Sequence, residues 1–481
     1  MKIFFTQLFI AFTLMISAQV EQATLLGQWN DPSLVGSASF DNAYNEVWGL
    51  AVNNREFAVI GTTAGTHFID VTDPNNPELV QFVAGAVQGP VIIHRDYHDD
   101  GCFLFVVADE PASVNSDEMS TLQVIDISRL PESVEVVYDS DELIFRAHNI
   151  FIDEPNDRLY ALITNGAGLG FSAMRIYDIS VPDDPQFVAL HNSLEGINIQ
   201  QVHDGFIEDN MAYLNLGPDG FAIVDFTDPV SPTLLGTLDN YPQQGYNHSG
   251  WLSQDGQYYY MSDETHGLEM KVLDVSDPTD IEVTDFFSAD NPAPSSIPHN
   301  QVVACDYLYV SYYYDGLQVY DISDPATPIR IAEFDTSNEP DAFSFKGAWG
   351  VYPFLPSGNI LVSDMQEGLF VFEAIDESEC SQRRDMCRGV LINTSETIRN
   401  DLFSIQPNPA NEYINILATE SISNEVNVTL SDITGRAIMK EKRLIHSGEN
   451  LVNLPIDLSA GLYLLSINGE DFLYTEKLVI E

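Results

Sequence analysis

The sequence predicts an all-β chain: a seven-bladed β-propeller, closed by its N-terminal strand, followed by a small C-terminal β-sandwich. The first observation is that a His or Trp opens a β-like run seven times, at intervals of 46, 54, 55, 45, 51 and 50 residues. The second is an aliphatic run that ends in Asp and a turn, as in FIDVTDP from residue 68 and VYDISDP from residue 319. Repetition at this period is typical of propeller blades.

Each repeat contains short β-branched and aromatic runs separated by turn residues, which predicts four strands per blade. In DYLYVSYYYDGLQVYDISDP, Asp315 and Gly316 separate two strands, and Asp324 and Pro325 end the second one. The seventh repeat has no outer strand, but TLLGQWNDP at 24–32 resembles the outer strand TLLGTLDNY at 233–241. We therefore expect the N-terminal strand to complete the last blade and to remove the open sheet edges.

Four segments are predicted along the chain. Residues 1–18 combine Lys2, an apolar run and Ser17-Ala18, as in a cleavable export signal, and no other segment could cross a bilayer. The propeller occupies 19–376, a polar linker 377–401 and a second domain 402–481. An exported location permits a disulfide between the neighbouring cysteines of the linker, whereas the two propeller cysteines are expected to be buried free thiols. These pairs are Cys380 with Cys387, and Cys102 with Cys305.

The formal charge of −54 is concentrated in the propeller, where 9 basic residues face 57 acidic ones. This balance argues against nucleic acid and anionic membrane surfaces as partners. A solvated acidic surface suited to a salty exterior explains it most simply. Calcium is the cofactor compatible with such a surface, although no Asp-rich loop has the spacing of calcium ligands. The identity of any cofactor is left open.

The C-terminal segment begins a new alternating pattern at LFSIQPNPANEYINIL and contains five or more short strands. It resembles the C-terminal sorting domain of the type IX secretion system of Bacteroidetes. The residues that carry the resemblance are Phe403, Pro407, Asn408, Pro409, Ala410, Asn411, Leu430, Asp432, Gly435, Leu458, Gly461, Tyr463, Leu465, Lys477 and Leu478. The resemblance implies export through the periplasm, the type IX machinery as partner, and release from the cell or attachment to its surface.

The repeats also resemble a family. Runs such as IDVTDP, YDISDP and LDVSDP are similar to LVIVD repeats, and the order of blades over 24–376 resembles the choice-of-anchor B family. That family joins one propeller to different C-terminal anchoring signals, which agrees with a sorting domain here. Since the activity of that family is not established, the resemblance implies the architecture and the cellular location of the protein but not a chemical activity. The second repeat departs most, with SRLPES in place of the Asp-Pro turn.

The candidate site is one mouth of the propeller channel. First strands line the channel, and in an up-and-down blade the residue that opens the first strand shares a face with the end of the second strand. The openings should therefore form a ring, with polar neighbours beside it and second-strand ends outside it. These candidates for ligand binding are Trp48, His94, Asp96, His148, Asn149, His203, Asp204, His248, Asp263, His299, Asn300, Trp349 and Asp364.

Two interpretations of this ring remain open. Imidazoles that converge with carboxylates could hold a transition metal, bind a ligand or act as acid and base. Repeated polar residues also bond the backbone of a neighbouring blade for structural reasons. The sequence predicts a secreted or cell-surface binding module for a glycan, a peptide, a metal or another surface protein. The alternative is a secreted hydrolase or lyase at the same mouth, with or without a metal.

Overall fold

The computed structural model describes residues 20–110, 119–166, 168, 170–289, 296–375 and 387, together with parts of the C-terminal tail. The described tail residues are 403–406, 408–410, 413–418, 424–432, 437–445, 452–455, 461–468 and 473–480. The chain divides into two compact units, Met1–Val390 and Leu391–Glu481. Within the described ranges the regular structure is β-strand, apart from the 3-10 turn Glu154–Asn156. The predicted all-β class is confirmed.

The first unit has a propeller-like arrangement of sheets. The sheets are numbered in chain order, and the strands of each sheet are given from the inner strand, which contacts the neighbouring sheets, to the outer strand. The first three sheets each have four antiparallel strands. The first contains Tyr44–Val52, Arg55–Thr62, Gly65–Asp70 and Glu78–Ala84; the second Arg95–Asp100, Phe103–Ala108, Leu122–Asp126 and Glu135–Ser140; the third Asn149–Asp153, Arg158–Gly166, Gly170–Asp178 and Gln186–His191.

The remaining sheets of this unit follow the same plan, and the last two also take strands from the N-terminus. The fourth contains Asp204–Glu208, Met211–Asn215, Phe221–Asp225 and Thr233–Leu238, and the fifth Asn247–Leu252, Tyr258–Asp263, Met270–Asp274 and Glu282–Phe287. The sixth contains Asn300–Ala304, Tyr307–Ser311, Leu317–Asp321, Ile329–Phe334 and the added Glu21–Gln22, and the seventh Ala348–Tyr352, Ile360–Asp364, Gly368–Phe372 and the added Leu25–Trp29. A small hairpin pairs Ser193–Leu194 with Ile197–Asn198.

The repeated Asp that ends the third strand of the first six sheets is a turn former. In six sheets its carboxylate accepts the backbone N–H two residues further on, as in Asp70 to Thr72 at 3.0 Å and Asp321 to Ser323 at 2.8 Å. This side-chain bond starts the turn to the outer strand. A register shift also recurs between the third and outer strands, for example at Phe68 and Ile69, and such bulges increase sheet twist.

The N-terminal strand supplies the outer strand that the seventh sheet lacks. Leu25–Trp29 runs antiparallel to Gly368–Phe372, while Glu21–Gln22 lies parallel to the outer strand of the sixth sheet. The first strands of the seven sheets contact one another in chain order, and the first strand of the seventh sheet contacts that of the first. These first strands are the inner strands of the arrangement, and they position the candidate site.

The cysteine prediction is wrong. Cys387 forms a disulfide with Cys102, across 285 residues of sequence, instead of with Cys380. The Cys387 N–H donates to the Ala51 carbonyl at 2.7 Å, so this segment is seated against the first sheet beside Cys102. Cys305, predicted to be a free thiol, is also disulfide-bonded. The prediction paired two cysteines that are close in sequence, whereas Cys387 lies next to the first and second sheets. Cys380 lies outside the described residues.

The second unit contains two antiparallel sheets whose buried side chains form one apolar core. The sheets comprise Phe403–Gln406, Tyr413–Ala418 and Val452–Pro455, and Ala437–Ile445, Asn424–Asp432, Gly461–Asn468 and Leu473–Ile480. The Asn408 side chain accepts the Val479 N–H at 2.9 Å and donates to the Lys477 carbonyl at 2.7 Å, which fastens this predicted motif residue to the last strand. Pro407 and Gly435 lie outside the described residues.

The part of the chain that the structure describes has no helix of the length and hydropathy needed to span a membrane. The predicted export signal at 1–18 falls outside the described residues.

Candidate functional site

Six of the seven predicted opening residues form a closed circle of side-chain rings, called here the histidine ring. Its members are His94, His148, His203, His248, His299 and Trp349. Neighbouring ring centroids around the circle are 4.8, 4.3, 4.2, 4.6, 4.4 and, from Trp349 back to His94, 5.4 Å apart. Rings at this spacing leave room at their centre for an ion or a small chemical group but not for a polypeptide chain.

Backbone contacts between neighbouring sheets orient two of the imidazoles. The Nδ1–H of His203 donates to the His248 carbonyl at 3.1 Å, and that of His299 donates to the Trp349 carbonyl at 2.6 Å. Because a carbonyl oxygen can only accept, both Nδ1 atoms carry the proton and both Nε2 atoms keep a lone pair. These two histidines therefore bond the backbone of the neighbouring sheet, which is the structural role expected for repeated polar residues. Each bond uses only one nitrogen of the imidazole.

His148 is held differently, by a carboxylate. Its Nδ1 lies 2.8 Å from Asp109 Oδ2, and Arg146 Nε lies 2.6 Å from the other oxygen of Asp109. Burial raises the pKa of Asp109, but the two cationic partners outweigh it and hold that pKa below its ordinary value. Burial lowers the pKa of His148, yet Asp109 outweighs burial, so the net shift is upward. His148 is the ring member best placed to carry a positive charge.

The other imidazoles are uncharged at neutral pH. Burial lowers the pKa of His299 to about 3 and takes those of His94, His203 and His248 well below 6.5. In the described structure, Nδ1 of His248 has no hydrogen-bond partner, and no hydrogen bond of ordinary length reaches either nitrogen of His94. A buried polar atom without a partner costs free energy, which makes these nitrogens candidates for an external ligand.

Glu264, which the sequence analysis missed, joins the ring. Its Oε2 lies 3.9 Å from His248 Nε2, and its Oε1 accepts the Tyr313 hydroxyl at 2.6 Å. Burial raises the pKa of this carboxyl to about 7. His248, Glu264 and His299 each offer one donor atom within 4.8 Å of the others. Glu264 follows the second strand of the fifth sheet at the position that Asp109 occupies in the second sheet, one residue after the Asp263 that the sequence analysis selected.

Beneath the ring lies a cavity of about 70 Å³. Six side chains in its lining are acidic or amide groups: Glu46, Asp96, Asn149, Asp204, Asn300 and Gln301. The backbone N–H groups of Ile150 and Gly205 each donate to a carboxylate of this set at 2.7 Å, and Asn300 Nδ2 donates to Glu46 at 3.0 Å. The structure thus brings together the predicted polar neighbours, and Glu46 is an addition that the sequence analysis missed.

Burial raises the pKa of these carboxyl groups. The pKa of Glu46 is about 8 and that of Asp204 about 7, and the pKa of Asp96 is well above its usual value. The negative charge of Asp204 adds to the effect of burial on Glu46 and Asp96, and Glu46 adds to it on Asp96. The carboxyl groups that line the cavity are therefore mostly protonated at neutral pH.

Trp48 does not belong to the histidine ring. It lies in an aromatic layer on the cavity's far side, with its ring 4.6 Å from His98 and 5.0 Å from Tyr352, and its Nε1–H donates to Asp99 at 2.6 Å. Other members of the layer are Phe151, Phe206, Trp251 and Phe354. Trp48 pairs with Val59 in the middle of the second strand, the level at which Phe151 and Phe206 lie in the third and fourth sheets, so the sequence period was aligned on the wrong residue of the first repeat.

Asp263 and Asp364 are structural and do not line the mouth. Asp263 is fully buried and accepts from the Tyr241 hydroxyl at 2.8 Å and from Lys271 Nζ at 2.6 Å. Asp364 accepts from the Thr336 hydroxyl at 2.8 Å and from two backbone N–H groups. Both carboxylates are engaged by local partners, and their role as ligand contacts stays a prediction.

Comparison with known families agrees with two of the sequence resemblances. Residues 404–481 match the secretion system C-terminal sorting domain, and residues 203–240 and 301–336 match the LVIVD repeat. The matched repeats coincide with the fourth and sixth sheets. The type IX sorting tail indicates secretion or attachment to the outer-membrane cell surface, which confirms the predicted localisation. The choice-of-anchor B assignment and the Bacteroidetes origin stay predictions.

Solved structures with a similar fold include lactonases. The periplasmic gluconolactonase PpgL of Pseudomonas aeruginosa is 10% identical with a TM-score of 0.50, over 85% of this chain and 99% of that one. A candidate 6-phosphogluconolactonase of Bacteroides uniformis is 12% identical with a TM-score of 0.47, over 77% and 98% of the two chains. No curated protein sequence matches the chain. At these identities the likeness shows a propeller-like fold alone.

Proposed function

We propose that this protein is a closed seven-bladed β-propeller, delivered to the cell surface, that acts as a binding module through its histidine ring. Two observations support the closed ring. The inner strands contact one another in a complete circuit, and the N-terminal strand Leu25–Trp29 completes the seventh sheet. Closure of this kind leaves no unpaired sheet edge between the first and last repeats.

One observation carries the binding function: the histidine ring presents buried nitrogen atoms that the protein itself does not use. His203 and His299 use Nδ1 for backbone contacts and keep Nε2, and His248 Nδ1 has no partner in the described structure. A purely structural histidine would have its polar atoms satisfied within the fold. The aromatic layer closes the far side of the cavity, so the ligand must enter from the mouth and present a small polar group to the ring.

The experiment is a binding screen of the full chain by thermal shift and calorimetry, with divalent metals, glycans and peptides as probes. The ring variant replaces three histidines together: His148→Ala, His203→Ala and His299→Ala. A matched control replaces three histidines outside the ring, His67→Ala, His191→Ala and His266→Ala. We expect the ring variant alone to lose binding. Binding that persists unchanged in the ring variant, even with a lowered melting temperature, would reject the proposal.

A second function, hydrolysis or elimination at the same mouth, is favoured by one pair of residues. Asp109 orients His148 at 2.8 Å, as an acid–base catalyst requires, and the pKa of the nearby Glu110 is raised by burial to about 7. An enzyme would lose turnover abruptly when His148 or Asp109 alone is replaced, whereas a binding module would lose affinity in steps. Single His148→Ala and His203→Ala variants, assayed side by side, separate the two functions.

A further inference from the structure

We infer that His248, His299 and Glu264 form a binding site for one divalent transition-metal ion, of the class that includes zinc and cobalt. The inference deepens the proposed function, on which it rests, because it names what the histidine ring would hold. Two imidazoles and one carboxylate make a donor set suited to such ions. His248 lies in the first strand of the fifth sheet, His299 directly precedes the first strand of the sixth, and Glu264 directly follows the second strand of the fifth.

The distance between His248 and Glu264 fits an ion better than a direct contact. Nε2 and Oε2 are 3.9 Å apart, which is too long for a hydrogen bond. Zinc binds nitrogen and oxygen at about 2 Å with tetrahedral angles, which puts two ligand atoms about 3.3 Å apart, so a small inward movement of the two side chains would let both bind one ion. His299 has a donor atom within 4.8 Å of both groups. Small side-chain rotations would bring its nitrogen to the same ion.

Hydrogen bonds to the other side-chain atoms of His299 and Glu264 leave one donor atom of each residue for the ion. The Nδ1–H of His299 donates to the Trp349 carbonyl at 2.6 Å, so Nε2 is the atom that remains. The Tyr313 hydroxyl donates to Glu264 Oε1 at 2.6 Å, so Oε2 remains. Metal-binding histidines and carboxylates are commonly fixed in this way, by a carbonyl or a hydroxyl on the atom away from the metal. Each polar partner here serves one donor atom and leaves the other for the ion.

The third residue, His248, is buried next to Glu264. His248 is almost fully buried, with 4% of its side chain exposed, and its Nδ1 has no hydrogen-bond partner in the described structure. Glu264 is too distant to accept a hydrogen bond from Nε2, the nitrogen that would bind the ion. Glu264 itself is 18% exposed, which gives an ion access from the mouth. Three protein ligands leave at least one coordination position open, where an oxygen donor of the bound molecule would attach.

The test is a titration of the full chain, stripped with a chelator, with Co²⁺ in an excess of Ca²⁺. Calcium occupies the many surface carboxylates but competes poorly for imidazole nitrogen. We expect one Co²⁺ per chain, with the visible absorption of a nitrogen-ligated ion. Glu264→Gln should weaken binding at least about tenfold, and Glu56→Gln, which alters a buried carboxyl bonded to Ser357 outside the ring, should not.

Absence of a one-to-one cobalt complex in the unaltered chain would overturn the inference, whether or not Glu264→Gln folds. Equal affinity in Glu264→Gln and the unaltered chain would also overturn it. A glycan or peptide that binds the metal-free protein, and fails to bind the ring variant, would reject the metal while leaving the proposed function intact. The two failures are therefore distinguishable.

Discussion

The protein should lose stability as the pH rises from about 6 to about 9, and Glu46→Gln should make this loss smaller. Burial and the nearby Asp204 carboxylate raise the pKa of Glu46 from 4.5 to about 8. The folded state therefore holds a proton that the unfolded chain releases near its ordinary pKa. A carboxyl group with a raised pKa stabilises the fold at low pH, and this stabilisation is lost as the pH rises through 4.5 towards 8.

The magnitude follows from the part of this interval that lies above pH 6. Two pKa units remain between pH 6 and 8, and one unit corresponds to about 1.4 kcal/mol. The ionisation of Glu46 alone should therefore lower the free energy of unfolding by about 3 kcal/mol over this range. The histidines with lowered pKa values contribute almost nothing here, because they are neutral in both states above about pH 6.5. Asp96 and Asp204, also raised, and His148 contribute slopes of the same sign.

The substitution suits its surroundings. Asn300 Nδ2 donates to Glu46, while Asn300 Oδ1 is buried without a partner in the described structure. A rotated Asn300 amide can accept from the new amide at position 46, so the variant should fold. The assay is urea denaturation of the full chain at several pH values, with the exposed Glu373→Gln as control. Equal losses of unfolding free energy in Glu46→Gln and the unaltered protein would refute the reasoning.

Three further predictions concern the fold. Lys271→Met should lower the unfolding free energy by about 3–5 kcal/mol, because it leaves the fully buried Asp263 without its cation, and a loss under about 1 kcal/mol in denaturation would contradict this. The double variant Cys102→Ser, Cys387→Ser should lose about 2–5 kcal/mol by the same assay, while unaltered stability would deny the disulfide a structural role. Deletion of Leu25–Trp29 should expose a sheet edge and cause aggregation in size-exclusion chromatography; a stable monomer would argue against closure by this strand.

The repeated parts of the fold were predictable because the same physical demand recurs in each sheet. The Asp of each aliphatic run was expected to form a turn, and its carboxylate does accept the N–H two residues later, as in Asp225 to Thr227. The five histidines of the ring followed from the period alone, since equivalent positions of neighbouring sheets meet at the same level. An export route was predictable from the tail, which carries its own sorting motif.

The parts that break the repeat could not be placed by the period. The first repeat was aligned on Trp48, but its structural equivalents are Phe151 and Phe206, opposite the middle of the second strand. An alignment on these aromatic residues would have placed Glu46 with Asn149 and Asp204, two residues earlier, and so in the cavity. Glu264 lies one residue after the Asp263 that the alignment selected, so an error of one residue excluded it.

The cysteines show a different limit of the sequence. Cys380 and Cys387 are neighbours in the chain, and that nearness suggested a local bridge. The bond from Cys387 to Cys102 depends on where the chain goes after the last strand, which no local pattern encodes. Long-range pairings of this kind depend on tertiary packing and require the structure.

The most direct test of the account is a crystal structure of the protein as secreted by the cells that make it, purified without added ligands or chelators. If the ring binds a ligand, the electron density should show a bound ion or small polar group inside the histidine ring, in contact with His248 and His299. A ring whose centre is empty, or filled by ordered water alone, would show that the imidazoles serve as scaffold and would contradict the binding function.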